Sequence, residues 1–402
     1  MPDKTRRAQT AAYFIAFVAL GLGLPALGPT LPGLAHQTHV KTGEISYLFT
    51  LRSFGLVLGS LLIGRFYDRL PGHRVMAAMI AAMAATMALL PFVHSLAMLF
   101  GVMLALGTAE GALDVGGNVL LVWVYQKRVP PYMNALHFCY GAGGMISPLI
   151  IAKTLDIKGD TVFSYFVFAI LTLPVAGLLL ALPSPRSPTK QPESPRRSDH
   201  SPSAKQERTG QASSRVLWLI VLLLALYVGA EVSYGGWIYS YVVQAKLGDE
   251  ILGADLTSVF WASLTAGRLI GIGIAARLRP RTILLADLIG CFISLGIALI
   301  WPSRVGAITI ASAGIGLSMA SIYPTVLNFA ERRMRITGQV TGLLTVGGSA
   351  GGMIVPLIVG QLFDSVGPRV MMLTILADLG VALMIYMLLV VGKSGRIGEL
   401  TD

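Results

Sequence analysis

Cysteine is almost missing from this chain: Cys139 and Cys291 are the two present, both inside apolar runs. That excludes a disulfide framework and a cysteine-held metal site. Charge is equally scarce. Asp, Glu, Lys and Arg make up 13% of the 402 residues, against about a quarter in an ordinary soluble domain. No metal-ligand cluster, nucleophile elbow or soluble catalytic domain is legible, and no P-loop lysine follows the glycine-rich stretches, so an enzyme is not expected. The net charge of +11 does not imply nucleic acid, because the basic residues are neither gathered into a domain nor interleaved with exposed aromatics.

What the chain has in abundance is apolar length: 54% hydrophobic residues and a mean hydropathy of +0.70. A membrane helix needs about 20 mostly apolar residues. The sequence predicts twelve, over 11–33, 46–66, 74–94, 97–124, 133–154, 162–183, 216–243, 254–276, 281–301, 306–329, 337–362 and 369–391. Lys and Arg crowd into alternate connections, such as Arg65, Arg69 and Arg74 or Arg277, Arg279 and Arg281. The other side has Lys41, Lys153, Lys158, Lys246, Arg304 and Arg369. Under the positive-inside rule this predicts an inner (plasma) membrane protein with both termini cytoplasmic. The basic start MPDKTRRAQT precedes a run without a small-residue cleavage site, which reads as a retained first helix.

Residues 185–214 are rich in Pro, Ser and charge and hold almost nothing apolar. They cannot bury a core and read as a flexible cytoplasmic linker, with a regulatory or partner-binding loop as the alternative. On either side the chain repeats itself. AGGMISPLI at 142–150 returns as AGGMIVPLI at 350–358, and the same offset carries Gly59 onto Gly267. The expected fold is therefore all-α and integral to the membrane, as two pseudo-symmetric six-helix bundles, 1–184 and 215–402, related by an axis along the membrane normal.

The segment from Gly64 through Asp68 and Arg69 to Arg74 follows the second predicted helix. It resembles the signature loop of the major facilitator superfamily, with one extra residue before the glycine. Glycines permit close helix approach and a sharp turn, the acid can face a helix N-terminus, and the arginines can meet acidic groups or lipid phosphates. Within the superfamily, three patches are similar to the fucose, galactose and glucose permease branch, including sodium-dependent glucose transporter-like proteins: Asp114 to Asn118, Leu136 to Gly144, and Glu231 with Gly235 to Tyr241. The fucose type also has an acid in its first helix, where this chain reads GLGLPALGPTLPG. The resemblance implies alternating-access uptake of a small solute, a sugar, driven by H+ or Na+, by a monomer in the lipid bilayer with no other cofactor. It also implies a gating latch at Gly64, Asp68, Arg69 and Arg74. Efflux of drugs or metabolites on the same fold is the alternative.

Charges at the bilayer centre cost roughly 2.5–3.5 kcal/mol on translocon scales, so each acid within a span wants an explanation. Glu110, Asp114 and Asn118 are spaced by four and share a helical face. The two carboxylates suit a shared proton or, with the amide, a sodium ion, while Asn118 is also a candidate substrate ligand. Glu110 can instead pair with an intramembrane arginine. Arg268 can neutralise a core acid or bind substrate hydroxyls, and Arg52, nearer the outer surface, can snorkel. Glu231 with Trp237 and Tyr241 offers an acceptor and ring faces that suit a pyranose, although Tyr241 also fits an interfacial belt. Tyr323 and Asn328, flanking Pro324, are candidates for gating or substrate contact, and His137 for proton shuttling or plain hydrogen bonding. Asp287 and Asp378 read as packed polar residues on peripheral helices.

Overall fold

Glycine decides where the helices touch. In the computed structural model, which describes residues 3–185, 214–334 and 338–391, Gly55 and Gly59 of the second membrane helix face the backbone of the fourth. Gly107 and Gly111 of the fourth face the carbonyls of Arg52 and Leu56 in return. Four-residue spacing on both partners lets the two backbones meet with no side chain between them. A Cβ at Gly59 or Gly107 would strike a backbone carbonyl.

Twelve membrane-spanning helices occur among the described residues. They are α1 (Lys4–Thr38), α2 (Thr42–Arg69), α3 (Gly72–Phe92), α4 (Leu96–Tyr125), α5 (Pro130–Lys158), α6 (Ser164–Ala181), α7 (Arg215–Gln244), α8 (Glu250–Ala275), α9 (Pro280–Ile300), α10 (Val305–Glu331), α11 (Gln339–Val366) and α12 (Val370–Val390). No strand occurs among the described residues. Several helices outrun their predicted spans, since polar turns at the ends remain helical. Most of the 185–214 linker lies outside the described residues.

The sequence repeat has a structural counterpart at each marker. Gly143 of α5 lies against the carbonyl of Val18 in α1, and Gly351 of α11 lies against the carbonyl of Ala225 in α7. The repeated glycine thus seats one helix pair in each half. Gly159, at φ +69°, ends α5, and Gly367, at φ +90°, follows α11. Left-handed backbone favours glycine because it has no Cβ to clash. His39 after α1 and Lys246 after α7 adopt left-handed φ of 56° and 55°.

The halves meet along α1, α2 and α5 on one side and α7, α8 and α11 on the other. Their contacts concentrate towards the end of the molecule where α1 finishes. There Thr50 Oγ1 donates to the Met353 carbonyl at 3.0 Å, Gln361 Nε2 to the Gly43 carbonyl at 2.6 Å, and Ser258 Oγ to the Met145 carbonyl at 2.7 Å. Phe49 and Phe363 flank the Trp237 ring at 5.7 and 4.9 Å. That end is closed.

Candidate functional site

Towards the opposite end, where α1 begins, the halves part around a cavity of about 620 Å³. Asn134 near the start of α5, Ala275 at the end of α8, Ile283 near the start of α9 and Asn328 near the end of α10 line its mouth. Deeper, it reaches Arg52, Glu110, Asp114, Tyr140, Glu231, Arg268 and Tyr323.

The glycine contact between α2 and α4 places Arg52 beside Glu110. Arg52 Nε donates to Glu110 Oε2 at 2.9 Å, Nη2 to Oε1 at 2.6 Å, and Nη1 to the Leu24 carbonyl at 3.1 Å. Both side chains are nearly sealed from solvent, 5% and 3% exposed. This is a bidentate, charge-assisted pair whose donors are engaged within the protein.

The other half builds a looser cluster. The Tyr227 hydroxyl donates to Glu231 Oε2, one turn along α7. Arg268 Nη2 of α8 stands 3.6 Å from Glu231 Oε1, with its side chain 32% exposed. At that separation the pair attracts without a short hydrogen bond, and the guanidinium keeps donors turned to the cavity. Asp114 differs from both other acids. It accepts from Asn118 Nδ2 at 3.3 Å, and among the described residues it has no cationic partner. The cavity therefore holds three carboxylates against two guanidinium groups.

The sequence profile of the Major Facilitator Superfamily matches residues 11–356. The chain belongs to that superfamily. Among its superfamily relatives, sodium-dependent glucose transporter 1 of Xenopus laevis is 30% identical over 366 residues, covering 85% of this chain and 73% of that protein. Major facilitator superfamily domain-containing protein 4A of Homo sapiens is 26% identical over 447 residues, covering 89% and 87%. The crystal structure of the nucleoside transporter NupG superposes with a TM-score of 0.76 over 97% of this chain and 100% of that one, at 13% identity. It shares the fold.

On this superfamily scaffold the structure brings together Glu110, Asp114, His137, Glu231, Arg268, Tyr323 and Asn328 as cavity-lining residues. Three of the substrate candidates fall outside that lining. Trp237 is fully buried in the closed end, donating Nε1 to the Pro356 carbonyl at 3.1 Å, and Tyr241 is buried further along the same helix. Their position corrects the expectation of ring faces presented to a solute. Asn118 is turned back on Asp114, donating to its carbonyl at 2.8 Å, because an amide one turn along a helix finds that carbonyl before it finds the cavity.

Arg52 does not snorkel. It is 4% exposed and held by Glu110, a pairing that removes Glu110 from the set of free carboxylates. Gly64 is half-buried in a largely exposed stretch with open space around it, and Asp68, Arg69 and Arg74 are exposed beyond the open end of the cavity. His137 lies edge-on to Phe17 at 6.0 Å. Sequence reasoning missed Tyr227 and Tyr140. Tyr227 was signalled by its four-residue spacing from Glu231. Tyr140 stood within the patch from Leu136 to Gly144, but its place in the cavity depends on the packing of α5 against α1.

Proposed function

We propose that this protein is a secondary active transporter that takes up a small, sugar-like solute by alternating access, coupled to H+ or Na+. The observation that carries this is the asymmetry of the charges lining the cavity. Arg52 and Glu110 are closed on each other, Arg268 and Glu231 leave donors and acceptors facing the space between the halves, and Asp114 stands without a cationic partner. A hydroxyl can accept from Arg268 and donate to Glu231 at once, which suits a neutral polyol better than an anion. The surplus carboxylate suits a coupling proton or sodium ion. The name of the Xenopus laevis relative, a sodium-dependent glucose transporter, points the same way.

The distribution of Lys and Arg puts the end where α1 begins in the cytoplasm. The structure is then the inward-open state of a monomer in the inner membrane, with both termini cytoplasmic and the 185–214 segment tethering two halves, 1–184 and 215–402. Exposure of Asp68, Arg69 and Arg74 fits a latch that engages when this face closes.

The test is uptake of radiolabelled sugars by proteoliposomes containing the pure protein, under imposed sodium or proton gradients. Accumulation of one hexose is the expected result, and Asp114→Asn should abolish accumulation while counterflow exchange survives. Absence of uptake for every sugar, or full accumulation by Asp114→Asn, would sink the reading.

A second reading, export of amphipathic cations, is favoured by one observation. Leu20, Leu24, Leu56, Val228, Val232, Leu269 and Ile272 give the cavity broad apolar walls around the unpaired Asp114. Proton-driven extrusion of lipophilic cations from inverted vesicles, with no sugar flux, is the outcome that selects it.

A further inference from the structure

α10 is broken in mid-span. Its first segment stops at Met319 and its second restarts at Ile322. Pro324 explains the break: it has no N–H for the carbonyl of Ala320, four residues earlier, and its ring crowds that carbonyl. The first segment therefore ends inside the membrane with free carbonyl dipoles, a position that favours positive charge.

Beside the break lies Asp287 of α9. Its Oδ2 accepts from Ser321 Oγ at 2.6 Å, and among the described residues no Lys or Arg stands within ion-pair distance of it. Ser321 occupies the N-cap position of the second segment, yet its side chain makes no capping hydrogen bond. Its hydroxyl is turned to the carboxylate instead. One turn earlier, the Ser318 hydroxyl lies over Gly290 of α9, where the missing side chain leaves room between the helices. Ala320 and Ser321 both line the central cavity, so the break is reachable from it.

We propose that Asp287, Ser318, Ser321 and the free carbonyl of Ala320 form a binding site for sodium. The donors are all oxygen, which suits a hard cation, and one carboxylate among neutral oxygens matches a single positive charge better than a divalent ion. The site is separate from Asp114. A bound cation would tie the second segment of α10 to α9 and so fix the angle at which Tyr323 and Asn328 enter the cavity. Its use in coupling rests on the uptake reading; its existence does not.

The test is thermal unfolding of the purified full-length protein in detergent, without sugar, as sodium chloride replaces choline chloride at constant ionic strength. The melting temperature should rise saturably with sodium. Measured in an Asp114→Asn background, which removes the other carboxylate offered to a coupling ion, Asp287→Asn should remove the rise, and Ser318→Ala and Ser321→Ala should raise the half-saturating sodium concentration severalfold. Absence of a sodium-specific rise in the wild type overturns the proposal. So does a rise that survives in the double variant of Asp114→Asn with Asp287→Asn, or one lost in Asp114→Asn alone. Should Asp287→Asn fail to fold, the serine variants decide, and an unchanged half-saturation in both rejects the site. Failure of sugar uptake in vesicles leaves this assay untouched.

Discussion

Arg52 holds Glu110 through two hydrogen bonds across the glycine contact of α2 and α4, whereas the charged pair of the other half, Arg268 and Glu231, stays 3.6 Å apart. The first pair is built into the scaffold and the second is available to a solute. The two should respond differently to the same kind of substitution.

Removing one partner of a buried pair leaves an uncompensated charge and costs roughly 3–5 kcal/mol. Glu110→Gln should therefore lower the melting temperature of the purified protein markedly. The double variant Arg52→Gln with Glu110→Gln should melt above either single one, since no lone charge is left behind. Additive losses would show that the pair is not what holds α2 to α4.

Substitution at Glu231 should act on the solute instead. Glu231→Gln keeps the shape and the Tyr227 contact but loses the charge, and a hydrogen bond to a charged group is worth about 1.5–3 kcal/mol. Solute affinity should fall by about tenfold to 100-fold. The melting temperature should move far less than for Glu110→Gln.

At Gly107 an added side chain meets the Arg52 carbonyl, while at Gly101, on the same helix, nothing lies within 4 Å. Gly107→Val should abolish the monodisperse peak in size-exclusion chromatography, and Gly101→Ala should run as the wild type does. Overpacking alone typically costs 1–3 kcal/mol, and more where backbone must move.

A side chain at position 43 would face Gln361 across the closed end, with its Cβ 3.4 Å from Oε1. Gly43→Cys with Gln361→Cys, in a background lacking Cys139 and Cys291, should form a disulfide under oxidation that stops transport. Reduction should restore it. Free transport by the fully cross-linked protein would mean that this end need not open.

Helix number, the repeat and the family were legible because each depends on long apolar runs or on glycine and proline at fixed spacing. Gly143 and Gly351 stood out as letters before their matching contacts with α1 and α7 were visible. Most of the cavity acids were legible too, since a carboxylate in hydrocarbon announces itself. Their partners were not. Arg52 lies 58 residues from Glu110, and nothing local distinguishes a guanidinium that snorkels from one that turns inward. Trp237 misled for the opposite reason: an aromatic beside glycines suits a sugar face, but here Gly360 and Phe49 pack against its ring in the closed end. The direction of a side chain around a long helix depends on which neighbours fit against it, and that is settled by tertiary packing.

Beyond the apolar packing between the halves, the closed end is held by a few discrete contacts: Thr50 on Met353, Gln361 on Gly43 and Ser46, Ser258 on Met145, and one cluster of rings about Trp237. A hydrogen bond contributes a net 0.5–1.5 kcal/mol or so, and an aromatic pair a similar amount. Those contacts are thus worth only a few kcal/mol. A solute need prefer one state over the other by about 100-fold, roughly 2.7 kcal/mol, to tip a balance of that size. Those polar and ring contacts are therefore within reach of the difference in binding energy that a small molecule in the cavity can supply.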